Sequence, residues 1–77
     1  MSTRSLSTIA REISDDWRKP YFGAVPYLEV MAELESIHDN YYHDSAKSVV
    51  MYFLSNTATW KGETARRIKA ELKAMVL

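Results

Sequence analysis

Two histidines and two aspartates form the densest group of side chains that could bind a metal. His38, Asp39, His43 and Asp44 lie within seven residues, and imidazole and carboxylate groups are ligands for Zn²⁺ and Ni²⁺. The histidines are five residues apart, which does not place both on one face of a regular helix. Asp44 also has a competing role as a helix N-cap. The spacing therefore favours a polar connector with exposed histidines, and we expect no metal and no cofactor.

The remaining combinations of reactive residues do not match a known catalytic pattern. Asp15 and Asp16 are adjacent, so on a helix their carboxylates point about 100° apart and cannot share a proton. Gly23 and Gly62 are the only glycines and there is no cysteine, which excludes phosphate loops, nucleophile elbows and thiolate chemistry. A chain of 77 residues also rarely leaves a pocket of about 300 Å³. The sequence predicts a protein that is not an enzyme.

Charge is distributed unevenly along a chain whose net charge is zero. Residues 20–46 carry five acids and no lysine or arginine, whereas residues 60–77 carry five bases and two acids. At 100° per residue, Arg66, Lys69 and Lys73 fall within about 60° of one another on a helix. This basic face is either a solvated surface near the C-terminus of a helix, where the dipole favours cations, or a ridge that binds phosphates or acidic groups, including the acidic segment of the same or a second copy.

A helix-turn-helix is one alternative for the second half of the chain. The last helix would then present its bases to a major groove, after a break at 56–59. That break lacks the usual glycine, and DNA-binding domains generally carry a clear positive charge. DNA binding through the basic face therefore remains the alternative function.

Five tyrosines are too many for the core of a chain this short. Exposed tyrosine near arginine is typical of protein interfaces, although tyrosines can also simply cover the edges of a small core. We expect apolar anchoring by the tyrosines and electrostatic steering by the bases. The predicted partner-binding residues are Tyr21, Tyr41, Tyr42, Arg66, Lys69 and Lys73.

Four stretches show apolar residues at helical spacing. The predicted helices span 5–18, 24–37, 44–55 and 60–75, with a polar connector at 38–43. Ser5 and either Asp44 or Ser45 are the predicted N-caps, and Pro26 suits a first helical turn. The run 49–54 has the composition of a buried strand, but no other stretch alternates with period two to pair with it. It is therefore predicted to be helical.

These elements predict an all-α fold, a compact bundle of three to four short helices in a single domain spanning 1–77. The main large core candidates are Trp17, Phe22, Phe53 and Trp60. A small core and exposed aromatic residues favour a homo-oligomer. No apolar run approaches the roughly 18 residues of a membrane helix, and the N-terminus lacks the apolar region of a signal peptide. We expect a cytoplasmic protein.

Three stretches resemble a group of small proteins encoded by bacteriophages of actinobacteria, mycobacteriophages among them. They are YFGAVPYL at 21–28, DSAKSVVMYFLSN at 44–56 and TWKGETARRIKAELK at 59–73. With the first helix, the similarity covers nearly the whole chain. The resemblance carries over no catalytic or binding residue. It implies a phage protein acting in the host cytoplasm, where such proteins bind a host protein, regulate, or counter a defence system.

Together the residues and the resemblance predict a non-enzymatic module for protein–protein interaction or regulation in the infected cell. Its expected partner is a host or phage protein, with self-association as a further possibility. Nucleic acid is the less favoured partner, and no membrane partner is expected.

Overall fold

Four α-helices and one small sheet make up the fold in the computed structural model, which describes residues 4–42 and 44–76. The elements in chain order are α1 (Leu6–Asp16), α2 (Val25–Met31), β1 (Asn40–Tyr41), β2 (Asp44–Ser45), α3 (Ala46–Ser55) and α4 (Glu63–Val76). The strands pair antiparallel, with Asn40 opposite Ser45 and Tyr41 opposite Asp44. The compact helical fold is confirmed, but the all-α prediction is wrong in the connector. Strands of two residues are too short to show an alternating pattern in sequence.

Serine side chains begin two of the helices as predicted. The Ser5 hydroxyl accepts a hydrogen bond from the Thr8 amide at 3.2 Å, and the Ser45 hydroxyl accepts one from the Ser48 amide at 3.1 Å. Each bond satisfies an amide in the first turn that has no partner within the helix. Asp44, the other candidate cap, lies one residue earlier in β2 and does not cap the helix. The run 49–54 is helical, as predicted.

The second helix ends six residues before its predicted end at residue 37, although Pro26 does lie in its first turn. After Met31 the amides of Glu33 and Leu34 donate to carbonyls three residues back, the tighter pattern of a helix end. The Asp39 carboxylate then accepts bonds from the Glu35 and Ser36 amides at 3.0 and 3.1 Å. These side-chain bonds offer the backbone an alternative to the helix, so the periodic apolar residues at 34 and 37 continue in a loop.

The fourth helix begins three residues later than predicted. Gly62 has φ of +115°, a left-handed value that glycine adopts without steric cost and that a helix does not contain. Its carbonyl accepts the first bond of α4, from the Arg66 amide at 3.0 Å. Trp60 therefore belongs to the connector before α4.

The core combines one face of each helix with two tryptophans from the connectors. Trp60 stacks on Trp17 with ring centroids 5.5 Å apart, and the Phe53 ring meets both edge-on at 6.4 Å. The Trp60 indole N–H donates to the Asp16 carboxylate at 2.9 Å. Three of the four predicted core aromatics are thus confirmed. Phe22 is not one of them, because its side chain is 79% exposed and Ala24 occupies the buried position in this segment.

An ion-pair network joins the N-terminal end of the described chain to α1 and α4. The Arg4 guanidinium contacts the carboxylates of Glu12 and Glu71, each at 2.6 Å. Glu12 also accepts a hydrogen bond from Arg67 on α4. The hydrogen bonds from Arg4 and Arg67 lower the pKa of the Glu12 carboxyl. The hydrogen bonds to Glu71 and Glu12 raise the pKa of the Arg4 guanidinium. The network therefore neutralises part of the positive charge of α4.

This network makes stability depend on pH in the acid range. Because the pKa of Glu12 is lower in the folded chain than its ordinary value of 4.5, the stabilisation is complete above that value. It is lost as pH falls through the folded-state pKa. We expect Glu12→Gln to lower the free energy of unfolding at pH 7, as measured by urea unfolding. Below pH 4.5 the free energies of unfolding of the variant and of the unmodified chain should approach each other. Asp15→Asn, an exposed change on the same helix, is the control. An equal loss at pH 7 and pH 3 would contradict the assignment.

Candidate functional site

The most exposed large apolar side chains come from three segments in the middle of the chain. Among the described residues none of them belongs to α1 or α4; they precede α2, lie at the hairpin turn or lie on α3. The set is Tyr21, Phe22, Tyr42, Met51 and Tyr52. Tyr52 is 58% exposed and Tyr42 is 86% exposed. Isolated exposed apolar residues are ordinary, but a grouping of large ones marks an interaction surface.

Six aromatic rings in the segment 21–52 form three packed pairs. Tyr21 and Phe22 have ring centroids 4.7 Å apart, as do Tyr41 and Tyr42. Tyr27 on α2 stacks on Tyr52 of α3 at 5.7 Å, with an angle of 26° between the rings. We call these six residues the aromatic band. Packing between the rings limits their rotation, so they present apolar area with little further loss of side-chain entropy on binding.

Two grooves lie along the aromatic band. One, of about 270 Å³, is bordered by Tyr21 and the C-terminal end of α3. The other, of about 260 Å³, lies between α2, α3 and the hairpin, and we call it the tyrosine groove. Its lining consists of Pro26, Tyr27, Val30, Tyr41, Asp44, Ser48, Val49 and Tyr52. The hairpin is therefore the element that closes this groove.

The surroundings of the tyrosine groove are acidic. Asp44 is the one charged residue among those described as lining it. The nearby Glu33 carboxylate is the main cause of a raised pKa at the Tyr41 phenol, because a negative charge opposes formation of the phenolate. Both acids belong to the segment 20–46, which has no lysine or arginine. A positive group would meet a favourable potential there.

Tyr42 occupies an unfavourable backbone conformation at the hairpin turn. Its φ is +56°, in the left-handed region where a bulky side chain crowds the following carbonyl. Tyr42 directly follows β1, whose Tyr41 pairs with Asp44, and tight hairpin turns prefer asparagine or glycine at positions with positive φ. The sequence thus keeps an exposed aromatic ring where a smaller residue would be more stable.

Replacing Tyr42 should therefore stabilise the fold. We expect Tyr42→Asn to raise the free energy of unfolding by about 0.5–1 kcal/mol, because asparagine adopts the left-handed region at lower cost. Thermal unfolding would show this as a rise in Tm of about 2–8 °C for a domain of this size. Tyr42→Phe keeps both the ring and the strain and should leave Tm unchanged. A lower Tm for Tyr42→Asn would contradict the strain argument.

The predicted basic face of α4 is divided by the tertiary structure. Arg66 and Lys73 are exposed, whereas the Lys69 ammonium donates to the carbonyls of Thr57 and Trp60 at 2.8 and 2.6 Å. The same ammonium lies 5.8 Å from the centre of the Trp60 ring. Burial, with a smaller contribution from neighbouring lysines, lowers the pKa of Lys69. Lys69 is therefore engaged within the fold rather than projecting beside the other two bases.

Lys69 should consequently matter for stability, in contrast to Lys73. We expect Lys69→Met to lower the free energy of unfolding by about 1–3 kcal/mol, because two carbonyls lose a charged donor. Lys73→Met, on the exposed face of the same helix, is the matched control and should change it by less than about 0.5 kcal/mol. Thermal or urea unfolding measures both. Equal effects of the two substitutions would show that the Lys69 contacts are not stabilising.

The candidate metal cluster is only partly described, because His43 lies outside the described residues. Asp39 uses its carboxylate on two backbone amides of its own loop, and Asp44 borders the tyrosine groove. No group of three or more potential metal ligands is found within 4–42 and 44–76. Over the same residues, no helix is both long and apolar enough to cross a membrane.

Sequence reasoning placed three members of the aromatic band among the binding residues and missed the other three. Tyr21 and Tyr42 are exposed and Tyr41 is half-buried. None of the three lies on α4, the helix that carries the other three predicted residues. Phe22 was assigned to the core, and Tyr27 and Tyr52 were not selected. A signal for Tyr52 was present, since it lies off the buried stripe of α3. No known protein family, curated protein or solved structure matches the chain.

Proposed function

We propose that this chain is a non-enzymatic interaction module that binds a partner protein through the aromatic band. The observation that carries the proposal is the set of three packed aromatic pairs, in which four of the six rings are exposed. Aromatic residues held in place by neighbours are the usual anchors of protein interfaces. Leaving them in water is otherwise unfavourable, since each buries 150–250 Å² when covered.

The size of the surface suits a specific interface. A standard interface covers about 800 Å² on each partner, which is roughly a seventh of the 5268 Å² surface of the described chain. The molecule measures 30 × 28 × 20 Å, so one broad side supplies that area. The aromatic band and its two grooves provide the apolar centre that such an interface needs, with exposed carboxylates as part of its polar rim.

The proposed setting is the cytoplasm of an infected actinobacterial cell, with a host or phage protein as the partner. This part of the proposal rests on the resemblance of three stretches to actinobacteriophage proteins and on no structural observation. Regulation of the bound protein is the proposed consequence of binding.

The contacts of α4 favour a protein partner over DNA. Lys69 binds carbonyls within the chain, and Arg67 contacts Glu12. Seven residues separate α3 from α4, whereas the turn of a helix-turn-helix has three or four. Lys61, Arg66 and Lys73 remain as exposed bases outside these contacts, and three phosphate contacts supply little affinity at physiological salt.

A capture experiment on matched variants tests the proposal. The tagged chain is incubated with actinobacterial lysate, with and without nuclease, and retained proteins are quantified by mass spectrometry. We expect a partner whose recovery falls at least tenfold for the double variant Phe22→Ser/Tyr52→Ser, because interface anchors contribute about 2 kcal/mol or more each. The double variant Arg66→Ser/Lys73→Ser replaces two exposed residues away from the band and should retain the partner.

Circular dichroism of both variants establishes that they fold. Loss of the partner only in the Arg66→Ser/Lys73→Ser variant would move the binding surface to α4. Recovery that disappears with nuclease would replace the proposal with the DNA-binding alternative.

A further inference from the structure

We infer that the tyrosine groove binds an arginine or lysine side chain, flanked by apolar residues, from an extended basic segment of the partner protein. The inference rests on the proposed function, since it assigns a chemical class to the partner of the aromatic band. It is carried by the shape of the groove, the chemistry of its walls and the sign of the charge around it.

The walls of the groove are suited to a flat or long cationic side chain. Tyr27 and Tyr52 contribute a stacked pair at one side, and Tyr41 contributes a third ring from the hairpin. Cations bind to aromatic faces, and arginine also stacks on them through its planar guanidinium. The apolar stem of arginine or lysine would lie against Pro26 and Val30. A volume of about 260 Å³ suits a single side chain better than a larger ligand.

The charge around the groove selects a positive occupant. Asp44 lines the groove and Glu33 is close enough to Tyr41 to act on its phenol. No base lies among the residues described as lining it, so an incoming carboxylate would have no counter-charge. A cation in the groove would be attracted by two carboxylates where the rings exclude part of the water, which strengthens the attraction.

The neighbouring residues indicate what flanks the cation. Phe22 and Tyr42, each packed against a second ring of the aromatic band, are exposed, and covering them requires apolar contacts. A second copy of this chain would present two basic elements, α4 and the exposed pair Arg18 and Lys19. The exposed residues of α4 are Glu63, Arg66, Arg67, Ala70, Lys73 and Ala74, so this helix offers charge without large apolar side chains. Arg18 and Lys19 directly precede Pro20 and two residues of the aromatic band itself. We therefore assign the groove to a basic and apolar segment of another protein and test dimerisation separately.

A random octapeptide library displayed on beads is the first probe. The folded, fluorescently labelled chain should select peptides enriched in arginine or lysine beside leucine, proline or aromatic residues. A selected peptide is then synthesised with its basic residue kept or replaced by citrulline (or, for lysine, by norleucine), and its Kd is measured by fluorescence anisotropy. We expect removal of the charge to weaken binding at least tenfold, and a rise from 50 to 300 mM NaCl to weaken it by a smaller factor.

Variants locate the peptide on the fold. Asp44→Asn and Tyr52→Ser should each weaken the selected peptide at least fivefold. Asp15→Asn, an exposed carboxylate change on α1, is the matched control and should leave the Kd unchanged. Glu33→Gln repeats the charge test outside the hairpin, so a loss of hairpin structure in Asp44→Asn cannot explain both results.

Four outcomes would overturn the inference. Selection of acidic or uncharged peptides would show the wrong partner chemistry, and an unchanged Kd in all three groove variants would place the peptide elsewhere. Failure to select any peptide, while lysate capture still depends on Phe22 and Tyr52, would overturn the inference and leave the proposed function standing. Dimerisation in sedimentation experiments that is abolished by both Tyr52→Ser and Asp44→Asn would assign the groove to a second copy instead.

Discussion

The stack of Trp60 on Trp17 holds three of the four helices in place. Trp17 follows α1, Trp60 precedes α4, and Phe53 of α3 meets both rings edge-on. Burying an indole ring requires a partner for its N–H group, and Asp16 provides one. The Trp60 carbonyl is in turn bound by Lys69. One residue of a connector thus joins α1, α3 and α4 through apolar contact and hydrogen bonds.

The position of Trp60 has consequences for the chemistry of the surface. The connector must run inward to Trp60 and then outward again, and Gly62 supplies the backbone conformation from which α4 begins. The Lys69 ammonium stabilises this connector by donating to two of its carbonyls. Arg67 and Arg4 are paired with carboxylates of α1 and α4. Two of the five bases in 60–77, Arg67 and Lys69, are therefore engaged within the fold, whereas Lys61, Arg66 and Lys73 are exposed.

The negative charge of the chain has a different distribution. The early end of α2 leads into a loop held by Asp39 and a hairpin that brings Tyr41 beside α2 and α3. This path contributes aromatic rings and carboxylates from 21–52, a stretch in which Lys47 is the one lysine and there is no arginine. The net charge of the chain is zero, but its charges are separated. Helix α4 carries exposed bases, whereas the segment 20–46 supplies aromatic rings and carboxylates and has no lysine or arginine.

The amino-acid sequence by itself determined a fold of three to four short helices, the cap Ser5 and most of the core, because apolar periodicity and capping are local properties. It narrowed the cap of α3 to Asp44 or Ser45, and the structure selects Ser45. It also indicated that the tyrosines could not all be buried. Only the tertiary structure decided that α2 ends at Met31, that a hairpin forms at Tyr41, and that Phe22 is exposed whereas Lys69 turns inward. Each of these depends on a contact with a residue distant in sequence or on competing hydrogen bonds in a loop. The tyrosine groove belongs to the same group, since its walls come from α2, α3 and the hairpin and exist only when those elements pack together.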